Sequence, residues 1–288
     1  MANFIQMKTG GFADIPNNDL LKRHRLIASD LARKWSRTEN VLGIVGLGGL
    51  ATGTVDEFSD IDLALFVQSI RKNRIRTGES SYDGFDVEVL VFEYEHEFGS
   101  TWSDVQQEAF SKHILLFDRH GRIAGLIAAK TKYNKSRARR RIIDIIFQLA
   151  WLGIADARYQ GKLRRGYHWS LPPDLMLRRG DAVAAAANLN YCLDLIVQLL
   201  FAVNCSPVPD VKWRFHRVTN LPWLPKQFQA TYPAFIINAS LDSNELRRRI
   251  DIITDWVHQS REHADRIIRL PADLYAAVLG QSELYGAR

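Results

Sequence analysis

The chain is poor in cysteine, and its apolar runs are short. Two cysteines, Cys192 and Cys205, are too few for a disulfide framework or a cysteine-rich metal site, and we interpret both as free thiols packed in the interior. A long apolar run, from Tyr191 to Val203, contains Asp194 and Gln198 and is shorter than the ~20 residues that cross a bilayer. We therefore expect neither a disulfide-stapled secreted protein nor a membrane partner.

Secretory and zinc-binding patterns are also missing. The first eight residues lack the charged and then apolar layout of a secretory signal, so we expect the protein to stay in the cytoplasm. His258 and His263 lie five residues apart, which is off the i to i+4 helical face that zinc-binding pairs use. The spacing gives no reason to expect a histidine metal site.

The composition is that of a globular protein with two differently built parts. Hydrophobic residues make up 47% of the 288 residues, which is enough to bury a substantial core. Up to Ala128 apolar strands alternate with helical patterns, whereas the later periodicity is helical and is broken by prolines. We expect these prolines, Pro233 among them, to mark connections between helices. We predict an α+β catalytic domain over residues 1–128 and a mostly α-helical domain over residues 129–288. The net charge of +6 comes from the second part, where basic residues outnumber acidic ones.

A pair of carboxylates stands in the segment from Val45 to Val67. Asp60 and Asp62 lie two residues apart in an apolar strand, so their side chains point to the same side. Two neighbouring carboxylates repel each other unless a cation lies between them, and Mg²⁺ with oxygen ligands is the usual one. An edge strand with one solvated face shows the same alternation, so the interpretation depends on the surrounding sequence.

A glycine-rich turn precedes this strand. Gly46, Gly48, Gly49 and Gly53 follow the apolar run from Val41 to Val45. Without side chains at these positions, backbone amides can approach a phosphate closely. Glycines alone are a weak signal, but here they come shortly before the carboxylate pair.

Together, the two features form a recognisable motif. Gly48-Gly49, followed after ten residues by Asp60-Ile61-Asp62, resembles the signature of the polymerase-beta superfamily of nucleotidyltransferases, in particular the small bacterial aminoglycoside and lincosamide nucleotidyltransferases. The resemblance covers residues 40 to 127 and implies a mixed, twisted sheet with flanking helices. It also implies ATP as co-substrate and Mg²⁺, as two ions held by Asp60 and Asp62. The implied reaction transfers AMP to a hydroxyl of a small-molecule acceptor, such as an antibiotic, and releases pyrophosphate.

One position departs from the family pattern. Gly49 stands where the family has serine, whose hydroxyl contacts the nucleotide phosphates. The loss of this hydroxyl contact costs about 1.5 to 3 kcal/mol of nucleotide affinity unless another donor replaces it. Thr52 and Thr54 are candidates for that donor. We predict that Gly48, Gly49, Thr52 and Ser59 bind the nucleotide. The alternative is a catalytically silent module that binds or senses nucleotides.

A third carboxylate is expected on a neighbouring strand. Residues Gly84 to Phe92 alternate with period two and predict that strand, in which Asp86 and Glu88 share a face. The Val-Glu-Val sequence around Glu88 resembles the strand that carries the third acid in the same nucleotidyltransferases. The resemblance thus implies that Glu88 is a metal ligand, the general base or both. Asp86 is the second candidate for this position.

The remainder of the chain reads as helical. A first helix is predicted to begin after Asp19, with an apolar stripe at Leu20, Ile27, Leu31 and Trp35, and later ones near 137–160, 180–203 and 243–268. The loop that ends in Lys212-Trp213 resembles a segment of uncharacterised nucleotidyltransferase-like proteins, so we predict that Lys212 reaches the triphosphate. Trp213 would stack on a base or line the acceptor pocket, although such a Trp is more often core and such a Lys more often solvated.

The acceptor is less well defined. The positive charge of residues 129–288 favours a neutral or weakly charged hydroxyl acceptor over a polycation. A basic run from Lys130 to Arg141 would face the triphosphate, a nucleic acid backbone or carboxylates of the first domain. Transfer to RNA or to a protein therefore remains the alternative, and the oligomeric state stays open.

Overall fold

Two units make up the chain, Met1–Lys132 and Tyr133–Arg288. They are seen in a computed structural model, which describes residues 18–154, 172–237 and 240–271. The first unit is built on a five-stranded sheet with flanking helices, and the described part of the second is helical. The predicted α+β class, a mixed sheet followed by a mostly α-helical part, is confirmed.

The first unit alternates strands with short helices. Its strands are β1 (Val41–Gly46), β2 (Ile61–Val67), β3 (Gly78–Tyr82), β4 (Phe85–Glu93) and β5 (Ile114–Asp118). Its helices are α1 (Asn18–Trp35), α2 (Gly48–Thr52), α3 (Tyr94–Gly99), α4 (Asp104–Ser111) and α5 (Arg122–Lys130). The strand order is β3-β4-β2-β1-β5, in which β2 and β4 are parallel and all other neighbours are antiparallel.

The sheet is covered on both faces. Helix α1 packs its apolar side on one face, against alternate residues of β2 such as Ile61 and Leu63. Helices α4 and α5 cover the other face, where Ala64 and Phe66 of β2 point. Every residue of β2 except Asp62 is therefore buried, which is typical of a central strand.

Strand β3 was not predicted from the sequence. All five of its residues are exposed, so they show no apolar alternation. It forms a hairpin with β4 through Asp83 and Gly84, which have φ values of 53° and 78°. Positive φ at both positions is the two-residue turn that an Asp-Gly pair favours, so that pair was the available signal.

The helices of the second unit include the long ones that the sequence predicts. They are α6 (Lys135–Trp151), α7 (Pro173–Arg178), α8 (Ala182–Val203), α9 (Val211–Arg217), α10 (Phe228–Ile237) and α11 (Ser243–Ile268). Helix α6 ends at Trp151, earlier than predicted, and the predicted continuation from residue 155 lies outside the described residues.

One proline does not act as a helix breaker. Pro233 was expected to mark a connection, but it lies inside α10. A proline there lacks the N–H that would bond the carbonyl four residues earlier. The neighbouring Phe228, Tyr232 and Phe235 are buried in the core of this unit, and that packing offsets the loss.

Helix α8 is the core helix of the second unit. By length and composition alone it is apolar enough to cross a membrane, yet 67% of its apolar stretch is buried inside the protein. A chain of side chains also ties it to its neighbours: Arg141 of α6 bonds Gln198, Gln198 donates to Asp194, and Arg214 of α9 pairs with Asp194 at 3.0 Å. Its apolar character follows from its place in the core.

A histidine is buried between α1 and the sheet. His24 has no exposed surface, and within the described part of the chain neither ring nitrogen has a hydrogen-bond partner. Its ring meets the edge of Phe85 at a centroid distance of 5.1 Å. Burial lowers the pKa of the His24 imidazole, while the charge of Asp60 acts in the raising direction and that of Arg23 adds to the lowering.

We expect His24→Leu to raise the free energy of unfolding by about 1 kcal/mol at neutral pH, because two unpartnered buried nitrogens are removed. The gain should grow below pH 6.5, since the lowered pKa of folded His24 lets the unfolded wild-type chain bind the proton first. Denaturant unfolding at neutral and acidic pH measures both effects. The exposed His96→Leu serves as control, and a pH-independent difference for His24→Leu would contradict the expectation.

Candidate functional site

Three carboxylates come together at the start of the two parallel strands. Asp60, Asp62 and Glu88 each offer an oxygen, and these oxygens all lie within 4.8 Å of one another. The parallel register sets Asp62 directly beside Glu88, and Asp60 immediately precedes β2. Asp60 is exposed, whereas Asp62 and Glu88 are half-buried, so the group is open to solvent on one side. The structure thus brings together the three residues that the sequence singled out.

The donor set fits a hard divalent cation. Three carboxylates at this spacing repel one another, and an ion bound through oxygen relieves that repulsion. All three ligands are oxygens, which suits Mg²⁺ or Mn²⁺ better than zinc. The residues present therefore fit the Mg²⁺ that the sequence motif implies.

The glycine loop is locked to this group through Asp62. Gly48 has a φ of +53°, and a Cβ built on it would lie 1.9 Å from Oδ2 of Asp62. The backbone of Asp62 also accepts a hydrogen bond from Leu47 N at 3.0 Å. Because Gly48 has no side chain, the Asp62 carboxylate can occupy the space beside it.

Gly49 is held by close packing as well. A Cβ on Gly49 would lie 2.6 Å from the carbonyl oxygen of Thr54 and 3.1 Å from Cγ1 of Val55. A serine side chain, as in the nucleotidyltransferase signature that the sequence resembles, therefore has no room here unless residues 54 and 55 move. Glycine at this position is part of how the loop is built.

The two threonine hydroxyls of the loop are paired with each other. Thr52 Oγ1 donates to the carbonyl of Gly48 at 3.0 Å and lies 2.6 Å from Thr54 Oγ1. Once Thr52 donates to Gly48, the proton between the two hydroxyls comes from Thr54. Both hydroxyl protons are then used inside the loop.

Ser59 forms a turn that leads into Asp60. Its hydroxyl donates to Oδ1 of Asp56 at 2.8 Å and accepts from Asp56 N at 3.0 Å. The same carboxylate accepts from Phe58 N at 3.0 Å. The Ser59 side chain thus fixes the backbone before the strand, and its predicted contact with nucleotide stays a prediction.

A further acidic residue that sequence reasoning missed lies next to the group. Glu79 of β3 stands directly opposite Glu88 in the antiparallel register, so Asp62, Glu88 and Glu79 form one row across three strands. Directly opposite residues on neighbouring strands have Cβ atoms roughly 5 Å apart. Asp86, the reserve candidate, is exposed and stands opposite Ser81.

Lys212 and Trp213 belong to the second unit. Both are exposed on α9, where Asp210 caps the helix by accepting from Lys212 N at 3.1 Å. The centroid of the Trp213 indole ring lies 6.0 Å from Lys212 Nζ and 5.4 Å from the guanidinium carbon of Arg217. The predicted contact of Lys212 with a triphosphate remains a prediction.

Comparison with known proteins finds likenesses among solved structures. No protein family model matches the chain, and no curated protein matches it. A solved structure of a nucleotidyltransferase-like protein from Exiguobacterium sibiricum 255-15 is similar to it, with a TM-score of 0.46 and 11% sequence identity. That similarity covers 86% of this chain and 77% of the other.

We expect Gly48→Ala to weaken divalent cation binding at least tenfold, because its Cβ would displace the Asp62 carboxylate. A non-glycine residue at positive φ should also cost about 1 to 2 kcal/mol of stability. Titration with Mn²⁺ and thermal unfolding measure the two effects. Gly125→Ala is the matched control, since a Cβ there meets nothing within 4 Å; unchanged Mn²⁺ affinity in Gly48→Ala would contradict the expectation.

Gly49→Ser should destabilise the first unit rather than restore a phosphate contact. The serine Cβ would clash with the Thr54 carbonyl, and overpacking of this kind costs about 1 to 3 kcal/mol. Denaturant unfolding and nucleotide titration of the variant measure both properties. Tighter nucleotide binding without loss of stability would contradict the expectation, because residues 54 and 55 would then have moved to make room for the serine.

Proposed function

We propose that the protein is a Mg²⁺-dependent nucleotidyltransferase that moves a nucleoside monophosphate, AMP from ATP, to a hydroxyl of a small-molecule acceptor. The observation that carries the proposal is the carboxylate group of Asp60, Asp62 and Glu88 within 4.8 Å, with the Asp62 carboxylate against the Gly48 backbone. A metal-binding group and a glycine loop in contact are what phosphoryl chemistry requires, because positioning and charge neutralisation supply most of the catalysis.

The residues have distinct roles in this reaction. Asp60 and Asp62 would hold the metal, and Glu88 would either complete the site or accept the proton of the acceptor hydroxyl. The acceptor oxygen forms a bond to the α-phosphorus, and the bond from that phosphorus to the bridging oxygen of pyrophosphate breaks. When bound, two Mg²⁺ ions would neutralise charge on the attacking and leaving oxygens.

The nucleotide is proposed to lie over the glycine loop. Gly48 and Gly49 carry no side chains of their own, and Gly48 and Thr52 are exposed. Since the loop hydroxyls bond within the loop, we infer that the backbone amides of the two glycines make the main phosphate contacts. Ser59 completes the proposed set by holding the turn before Asp60, and the contact of Lys212 with the triphosphate stays a prediction.

The acceptor is proposed to be a neutral or weakly charged hydroxyl compound, for which a lincosamide antibiotic is a test case. The support is the positive charge of the second part of the chain, which disfavours a polycation. The same charge supports RNA as the second candidate acceptor. Arg139 and Arg140 of α6 and Lys212 are exposed, and binding through them would weaken as salt rises.

The proposal predicts acceptor-stimulated, Mg²⁺-dependent release of pyrophosphate from ATP. Asp60→Asn, Asp62→Asn and Glu88→Gln should each reduce the rate at least ~100-fold, because each removes a carboxylate that would hold the metal or accept the proton of the acceptor hydroxyl. Asp86→Asn is the matched control and should retain activity, since Asp86 lies outside the group of three. Pyrophosphate release by each variant, with a panel of antibiotics and RNA as acceptors, is the measurement.

The outcomes separate the alternatives. Equal activity in Asp60→Asn and the wild type would refute the proposed site. Nucleotide binding without pyrophosphate release for any acceptor would indicate the silent sensing module. Stimulation by RNA that falls with added salt would replace the small-molecule acceptor by a nucleic acid.

A further inference from the structure

An exposed aromatic residue comes two positions before the first of the three carboxylates. Phe58 is 84% exposed, which makes it the most exposed large apolar side chain among the described residues. It precedes Asp60 by two residues, so their Cα atoms are at most ~7 Å apart. The backbone of Phe58 is therefore next to the proposed site.

The ring is carried by an ordered turn. Asp56 Oδ1 accepts from Phe58 N at 3.0 Å and from Ser59 Oγ at 2.8 Å. Ser59 N donates to the carbonyl of Asp56 at 3.1 Å, which closes the turn a second time. The backbone on both sides of Phe58 is thus fixed, although no apolar neighbour buries its side chain.

A single exposed apolar residue is common on protein surfaces and by itself needs no explanation. Phe58 differs in position, because it lies in the segment that connects the glycine loop to Asp60. An aromatic ring on an ordered backbone at that place offers a flat face to a flat partner.

We propose that Phe58 is a specificity-determining residue whose ring packs against a planar or apolar ring of one of the two substrates. The inference rests on the proposed nucleotidyl transfer. The partner ring is that of the nucleobase or that of the acceptor, and the two sources share the same stacking chemistry. Phe58 acts in binding and holds no reacting atom.

The test compares KM and kcat of Phe58→Ala with those of the wild type in the pyrophosphate assay. We expect KM for one substrate to rise about tenfold, a typical loss for a removed stacking contact, while kcat changes less than twofold. Phe58→Tyr should restore KM because it keeps the ring. Phe98→Ala, which removes a ring that is 62% exposed on α3, is the matched control and should behave as the wild type.

The pattern of results decides the inference. A rise in KM for ATP assigns the ring to the nucleobase, and a rise for the acceptor assigns it to the acceptor. Unchanged KM values for both substrates in an active Phe58→Ala would overturn the inference, as would a fall in kcat that accompanies a lower Tm.

The test also separates this inference from the proposed function. A wild-type protein that releases no pyrophosphate refutes the function, and the dissociation constant for ATP with Mg²⁺ then becomes the readout. A roughly tenfold weaker Kd in Phe58→Ala would still support stacking on the nucleobase. An unchanged Kd, or no binding by the wild type, would overturn it.

Discussion

The parallel pairing of β2 with β4 is the constraint on which the site depends. In this register Asp62 lies beside Glu88, and two acids from segments far apart in sequence become neighbours. The register is firmly fixed, because β2 is buried on both faces and a slip of one residue would turn Asp62 toward the core and Ile61 or Leu63 out of it. The packing of the rest of the sheet therefore holds the carboxylates together against their mutual repulsion.

Glycines let neighbouring elements approach closely, and these contacts hold the glycine loop against the sheet. Gly43 in β1 lets α5 come near, since a Cβ there would lie 2.3 Å from Cγ1 of Ile123. Gly48 similarly gives the Asp62 carboxylate its place, and Leu47 bonds the backbone of the same aspartate. The glycine loop, strand β2 and the carboxylates are thus held together by close contacts, which suits chemistry that depends on positioning.

The elements that could be predicted from the sequence are those with a strong apolar pattern. The buried strand β2, the alternating strand β4 and the apolar face of α1 follow from such patterns, and so does the long helix α8. The proximity of Glu88 to the aspartates could be expected only from the family resemblance, because spacing along the chain says nothing about which strands pair.

The remaining elements carried weaker or different signals. Strand β3 is polar and exposed, so only its Asp83-Gly84 turn could have indicated it. Helix α4 begins with a capping box in which Ser103 and Gln106 bond each other's backbone, a Ser-x-x-Gln pattern that is visible in the sequence. The contact between Gly49 and Thr54 has no sequence signal, because it depends on how the chain folds back after α2.

That contact has a consequence for how this loop can vary among relatives. Because the space beside Gly49 is filled by the carbonyl of Thr54 and the side chain of Val55, residue 49 cannot be exchanged independently of its neighbours. A homologue with serine at this position should have a different backbone path through residues 54 and 55, because a smaller side chain at position 55 would leave the Thr54 carbonyl in place. The residue at position 49 should therefore indicate which path the loop takes, and a sequence pattern that demands serine would pass over chains with the path seen here.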